Sequence, residues 1–164
     1  MFPSRSAEDE ATAYHEAGHA VMGALRDLPP LSVSIVPAGN RVAGRTEFPD
    51  VPPAFKNYLG TSADKRAYIE TRVLIEVAAT IAHDMHNPGR VHDAGDAYDL
   101  QRARAFIEQN ASWAENDREA YLQSLRNRAR LMIAKNWAWL QAVALALVEQ
   151  RELTGVDVKR CRPA

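Results

Sequence analysis

The chain has 164 residues, a formal net charge of -1, 46% hydrophobic and 25% charged residues. That balance suits one globular domain and disfavours disorder, low-complexity repeats and a disulfide scaffold. Near-neutral charge offers no global attraction for nucleic acid, and the lone cysteine, Cys161, excludes an intrachain disulfide and a cysteine-based zinc cage, so any metal must be held by His, Asp or Glu. The N-terminus turns acidic at Glu8 and lacks the apolar run of a signal peptide. The most apolar stretch, 137–148, falls short of the ~20 residues that cross a bilayer. These features predict a cytoplasmic protein without a membrane segment.

A single domain over 1–164 is expected, mainly α with a small β-element. Ser6 followed by Ala-Glu-Asp puts a capping hydroxyl before helix-favouring residues, so a helix is predicted from about Ala7 to about Arg26. Ala17, Val21, Ala24 and Leu28 recur on its inward face until Pro29 and Pro30 forbid continuation. Residues 31–36 alternate apolar and polar side chains, the pattern of a half-buried strand that Pro37 ends, and a second strand is expected around 43–48. Prolines 49, 52 and 53 mark a loop. After Thr61-Ser62, Ile69, Val73, Val77 and Ile81 stand four apart, and Leu74, Ala78, Ala82 and Met85 widen their stripe. So broad an apolar face predicts a central helix covered on several sides, ending before Asn87-Pro88-Gly89. A polar connection over 87–97 leads to a third helix beginning close to Asp96. The helical pattern over 117–151 is too long for one straight helix, with Asn136 the candidate break.

His15-Glu16-Ala17-Gly18-His19 falls in the middle of the first predicted helix. Residues four apart project from one helix face, so both imidazoles reach one zinc ion and Glu16 stands beside them as a base. Two histidines leave the site incomplete, because a catalytic zinc usually has three protein ligands and one open position. By residue type the third is one of His83, His86, His92, Asp93, Asp96, Asp99 or a glutamate such as Glu76, and spacing alone does not choose among them.

The run Ala13-Tyr14-His15-Glu16-Ala17-Gly18-His19-Ala20-Val21 resembles the zinc-binding helix of the FtsH-type ATP-dependent metalloprotease family. Ile35-Val36-Pro37-Ala38-Gly39, then Gly44-Arg45-Thr46, is similar to the strand and turn that follow it there. Gly95-Asp96-Ala97-Tyr98-Asp99-Leu100 resembles the segment whose aspartate is the third zinc ligand, which maps onto Asp99. Residues 140–158 are similar to the family's closing helix and turn. The resemblance implies a helical metallopeptidase domain with its zinc site on the first long helix and one short β-hairpin or edge strand. Two features depart from the family. No Gly-rich loop ending in Gly-Lys-Ser/Thr is present, so the ATPase module is absent from these residues. His83 stands where the family's central helix carries a glutamate.

The resulting expectation is a Zn2+-dependent endopeptidase acting on unfolded or flexible polypeptide, with His15, His19 and Asp99 on zinc and Glu16 as general base toward a zinc-activated water. Ser32, Val33, Ser34, Ile35 and Val36 are expected to pair with an extended substrate if they lie at a sheet edge. A separate ATPase or a homo-oligomer is the expected partner besides the polypeptide; nucleic acid is not. The alternative is a non-catalytic interaction module with zinc structural or absent. Trp113, Trp137 and Trp139 read as core, and Arg126, Arg128 and Arg130 as a solvated helix surface. His83 and His86 read as polar positions ending a buried helix.

Overall fold

A computed structural model describes residues 6–39, 43–50, 62–109 and 115–164. Pro52, Pro53 and Trp113 lie outside them. Helix α1 spans Ala7–Leu25, with the Ser6 hydroxyl accepting from the Asp9 N–H and Glu8, Asp9 and Glu10 in its first turn, where the helix dipole favours negative charge. Its chain reverses at Asp27, whose φ is 58°, and the Leu28 N–H returns to the Gly23 carbonyl. Strands β1 (Ser32–Ser34) and β2 (Arg45–Glu47) follow, shorter than the alternation suggests. Helix α2 (Ser62–His86) is the central helix; α3 (Ala94–Glu108) starts on a capping box between Asp93 and Asp96.

The helical stretch after residue 115 divides into α4 (Glu115–Lys135) and α5 (Trp137–Gln150), which meet at 78°. Asn136 is the break. Its side-chain amide and its backbone N–H both bond back to the Met132 carbonyl, so the next turn starts in a new direction. Arg151 is left-handed at φ 71° and turns the chain into β3 (Glu152–Thr154), and Thr154 caps the short helix α6 (Gly155–Arg160).

The fold is mainly helical with one small three-stranded sheet, as its patterning predicts. The core lies on both sides of α1, which packs against α2 on one face and α5 on the other: Ala17, Val21, Val73, Leu74, Ala78, Leu140, Val143 and Leu147 are wholly buried. Gly18 sets the depth of the α1–α2 contact, because a Cβ there would stand 2.7 Å from the Ala78 carbonyl oxygen and 2.8 Å from the Ala79 Cα. Trp139 is buried with its indole N–H on the Val158 carbonyl, and Trp137 is half-buried against Tyr14. Among the described residues no single helix is long and apolar enough to cross a membrane.

The strand order β2-β1-β3 corrects the expectation that β1 offers a free edge. Val33 faces Thr46 on one side and Leu153 on the other, so Ser32, Val33 and Ser34 are paired along both flanks. The Ile35 N–H donates to the Arg151 carbonyl and the Val36 N–H to the Ser34 hydroxyl. Ser32, Val33 and Ser34 are therefore not at a sheet edge, Ile35 and Val36 lie beyond the strand, and among the described residues the outer strands are β2 and β3.

Candidate metal centre

The middle of α1 presents His15 and His19 one turn apart, and the first turns of α3 carry Asp99 across to them. His15 Nε2 lies 2.9 Å and His19 Nε2 3.3 Å from Asp99 Oδ2. His19 is fixed by its other nitrogen, Nδ1, which is 2.9 Å from the Ile75 carbonyl of α2. Carbonyls only accept, so Nδ1 carries a proton toward Ile75 and Nε2 is the nitrogen turned toward Asp99, the arrangement that orients a metal-binding histidine.

These donors fit a metal ion better than they fit one another. Asp99 Oδ2 is a buried oxygen that meets no well-aligned hydrogen-bond donor among the described residues, although both imidazole nitrogens stand close to it. Three potential ligand atoms within 4.8 Å therefore converge on a shared point. The local field favours a cation at that point. Burial works against both charges, yet the two imidazoles hold the Asp99 carboxyl well below the usual carboxylate range. Burial would likewise lower His19, but Asp99, followed by Glu16 and Glu76, raises it to about 10.

Glu16, between the histidines, is buried, and its Oε2 accepts a 2.6 Å hydrogen bond from the Thr46 hydroxyl of β2. Gly44, just before β2, lies flat on the same side chain: a Cβ there would stand 2.8 Å from Glu16 Cγ. Sequence reasoning did not single out Thr46, since its contact spans thirty residues and only Gly44-Arg45-Thr46 in the family-like run hinted at it.

The other residues of ligand type have other partners. His86 stacks on Tyr14 with ring centroids 3.7 Å apart, exposed His92 pairs with Asp84, and Asp93 caps α3. Glu76 receives Arg72 and Arg102. His83 and Asp96 form a second close group with His15. All four acceptor positions of Asp96 are nevertheless taken, by two Arg90 nitrogens at 2.7 and 2.8 Å, the Thr80 hydroxyl and the Asp93 N–H. That carboxylate has nothing left for a metal. His83 is buried against the edge of His15, and burial, Arg90 and His15 lower its pKa, so it stays neutral.

Fold and site together define a class: a small helical domain whose first helix carries a His-Glu-x-x-His sequence and whose third helix completes a three-donor cluster. No protein-family model matches the chain. It is 26% identical, over 93% of its length, to the ATP-dependent zinc metalloprotease FtsH of Caldicellulosiruptor bescii. The chain spans 30% of that relative's length, a distant similarity to part of a protease.

Proposed function

We propose that the chain is a zinc-dependent endopeptidase that cleaves unfolded or flexible polypeptide. The observation that carries the reading is the convergence of His15 Nε2, His19 Nε2 and the buried Asp99 Oδ2 beside buried Glu16. Two neutral imidazoles and one carboxylate are the donor set of an open zinc site, and zinc bound there supplies Lewis acidity and lowers the pKa of water to ~7.

The chain's own residues do the rest. Glu16 Oε2 is engaged by Thr46, which leaves Oε1 as the oxygen that takes a proton from the attacking water and returns it to the leaving amine. Among the described residues β2 pairs only with β1, and it runs beside Glu16, so its outer main-chain groups are the ones that would align an extended polypeptide. Main-chain pairing recognises extended backbone more than side-chain sequence, which favours unfolded segments. These residues carry no Gly-Lys-Ser/Thr phosphate loop, so any ATP-driven delivery in this reading is supplied from outside them, with a separate ATPase or a homo-oligomer as the proposed partner.

The test is cleavage of labelled, unfolded casein with and without chelator, by the wild type and by Glu16→Gln. The expected result is chelator-sensitive cleavage that Glu16→Gln abolishes while its zinc content is unchanged. Undiminished proteolysis by Glu16→Gln would remove Glu16 from the mechanism. A zinc-loaded wild type without cleavage would favour the interaction-module alternative.

A further inference from the structure

We infer that Thr46 is a positioning residue for Glu16, and that strand β2 thereby combines two tasks, alignment of the polypeptide and orientation of the base. The inference rests on the reading of Glu16 as the general base. A hydroxyl has one proton to give, and at 2.6 Å from a carboxylate oxygen the Thr46 proton is committed to Glu16 Oε2. The second approach of Thr46 Oγ1, 3.4 Å from the Glu16 carbonyl oxygen, is a contact that keeps the hydroxyl over the same helical turn.

A glutamate has three side-chain torsions, and one hydrogen bond alone would leave its free oxygen a range of positions. Gly44 removes that range. Its Cα hydrogens face Glu16 so closely that a Cβ would stand 2.8 Å from Cγ and 3.0 Å from Oε1, and 2.6 Å from Thr12 Cγ2. The strand thus holds Oε2 by a bond and blocks the Gly44 side of the side chain by contact. Arg45 and Glu47, flanking Thr46, are exposed, so the strand's alternation turns Thr46 toward α1. Thr46 also faces wholly buried Val33 across the β1–β2 ladder, which ties its position to the core. A displacement of β2 on pairing with a polypeptide would carry the base with it.

A purely structural Thr46 would make a different prediction from a positioning one. Thr46→Val keeps the side-chain shape and favours a strand, while Thr46→Ser restores the hydroxyl. Zinc content, thermal stability, kcat and KM on labelled casein, and the Glu16 carboxylate position in crystal structures of the three proteins are measured. We expect Thr46→Val to lose about tenfold or more in kcat with KM and zinc unchanged and with Glu16 displaced or spread over several positions. Thr46→Ser should return kcat and the single Glu16 position. An undisturbed Glu16 with unchanged kcat in Thr46→Val overturns the proposal, and so does a loss of zinc or stability large enough to account for the lost rate. If the wild type cleaves nothing, the peptidase reading fails, and the Glu16 position in Thr46→Val then decides the positioning claim on its own.

Discussion

Replacing Gly18 by alanine sets helix propensity against packing, and the structure fixes the sign. In an open helix interior the change stabilises by about 1 kcal/mol, because alanine loses less backbone entropy. Here the new Cβ would stand 2.7 Å from the Ala78 carbonyl oxygen, 2.8 Å from the Ala79 Cα and 2.9 Å from the Ala82 Cβ. None of these atoms ends a flexible side chain that could rotate away, so α1 must retreat from α2. Overpacking of this kind costs about 1–3 kcal/mol, and the rigidity of the neighbours puts it at about 3. The net expectation is destabilisation by about 2 kcal/mol, a fall in Tm of roughly 4–8 °C for a chain of this size. The retreat would also lengthen the His19 Nδ1 bond to the Ile75 carbonyl, so zinc affinity should fall with stability. Thermal and urea unfolding, followed by zinc competition with a chelator, measure both. A Gly18→Ala protein as stable as the wild type or more so would refute the close-packing argument.

Arg90→Ala should destabilise by about 3 kcal/mol in urea unfolding, the low end for breaking a buried ion pair, since Asp96 keeps the Thr80 hydroxyl and the Asp93 N–H. Asp96 titrates below its ordinary range: burial opposes this, but Arg90, the Asp93 N–H and Thr80 outweigh it. Its contribution is therefore complete above the ordinary carboxylate pKa and lost as acid approaches the folded value; acid unfolding that is unaltered in Arg90→Ala would contradict the clasp. For His19 the sign is opposite. Its raised pKa gives chelator-treated protein a stabilisation present below the ordinary 6.5 and lost as pH rises through about 10, which urea midpoints across that window would reveal. Added zinc should flatten the dependence, because the metal takes the imidazole in its neutral form.

What the sequence makes legible is local. Ser6, the double proline after Leu28, the four-residue apolar repeat of α2 and the break at Asn136 all act within a turn or two of themselves, and α1, α2, α4 and α5 lie close to where these signals put them. The sheet is different. Three-residue strands carry almost no periodicity, and β1 meets β3 across more than a hundred residues, so neither the existence of β3 nor the central place of β1 follows from local pattern. The site divides the same way. His15 and His19 share a face by helical geometry alone, whereas Asp99 was separated from Asp96 and Asp93 only by a family-like segment. In the folded chain Asp93 caps α3, Asp96 is saturated by Arg90, Thr80 and the Asp93 N–H, and one turn further on Asp99 is left with an oxygen that no described residue donates to in good alignment. Thr46 was invisible because its partner lies on another element.

The central claim is that His15, His19 and Asp99 hold one zinc ion. Elemental analysis of zinc per chain, on protein purified without chelator or affinity metal and with Asp99→Ala prepared identically, tests it most directly. The account predicts about one zinc per wild-type chain and clearly less in the variant, with both proteins folded. No zinc in the wild type after metal is added back, or equal zinc in Asp99→Ala, would contradict it.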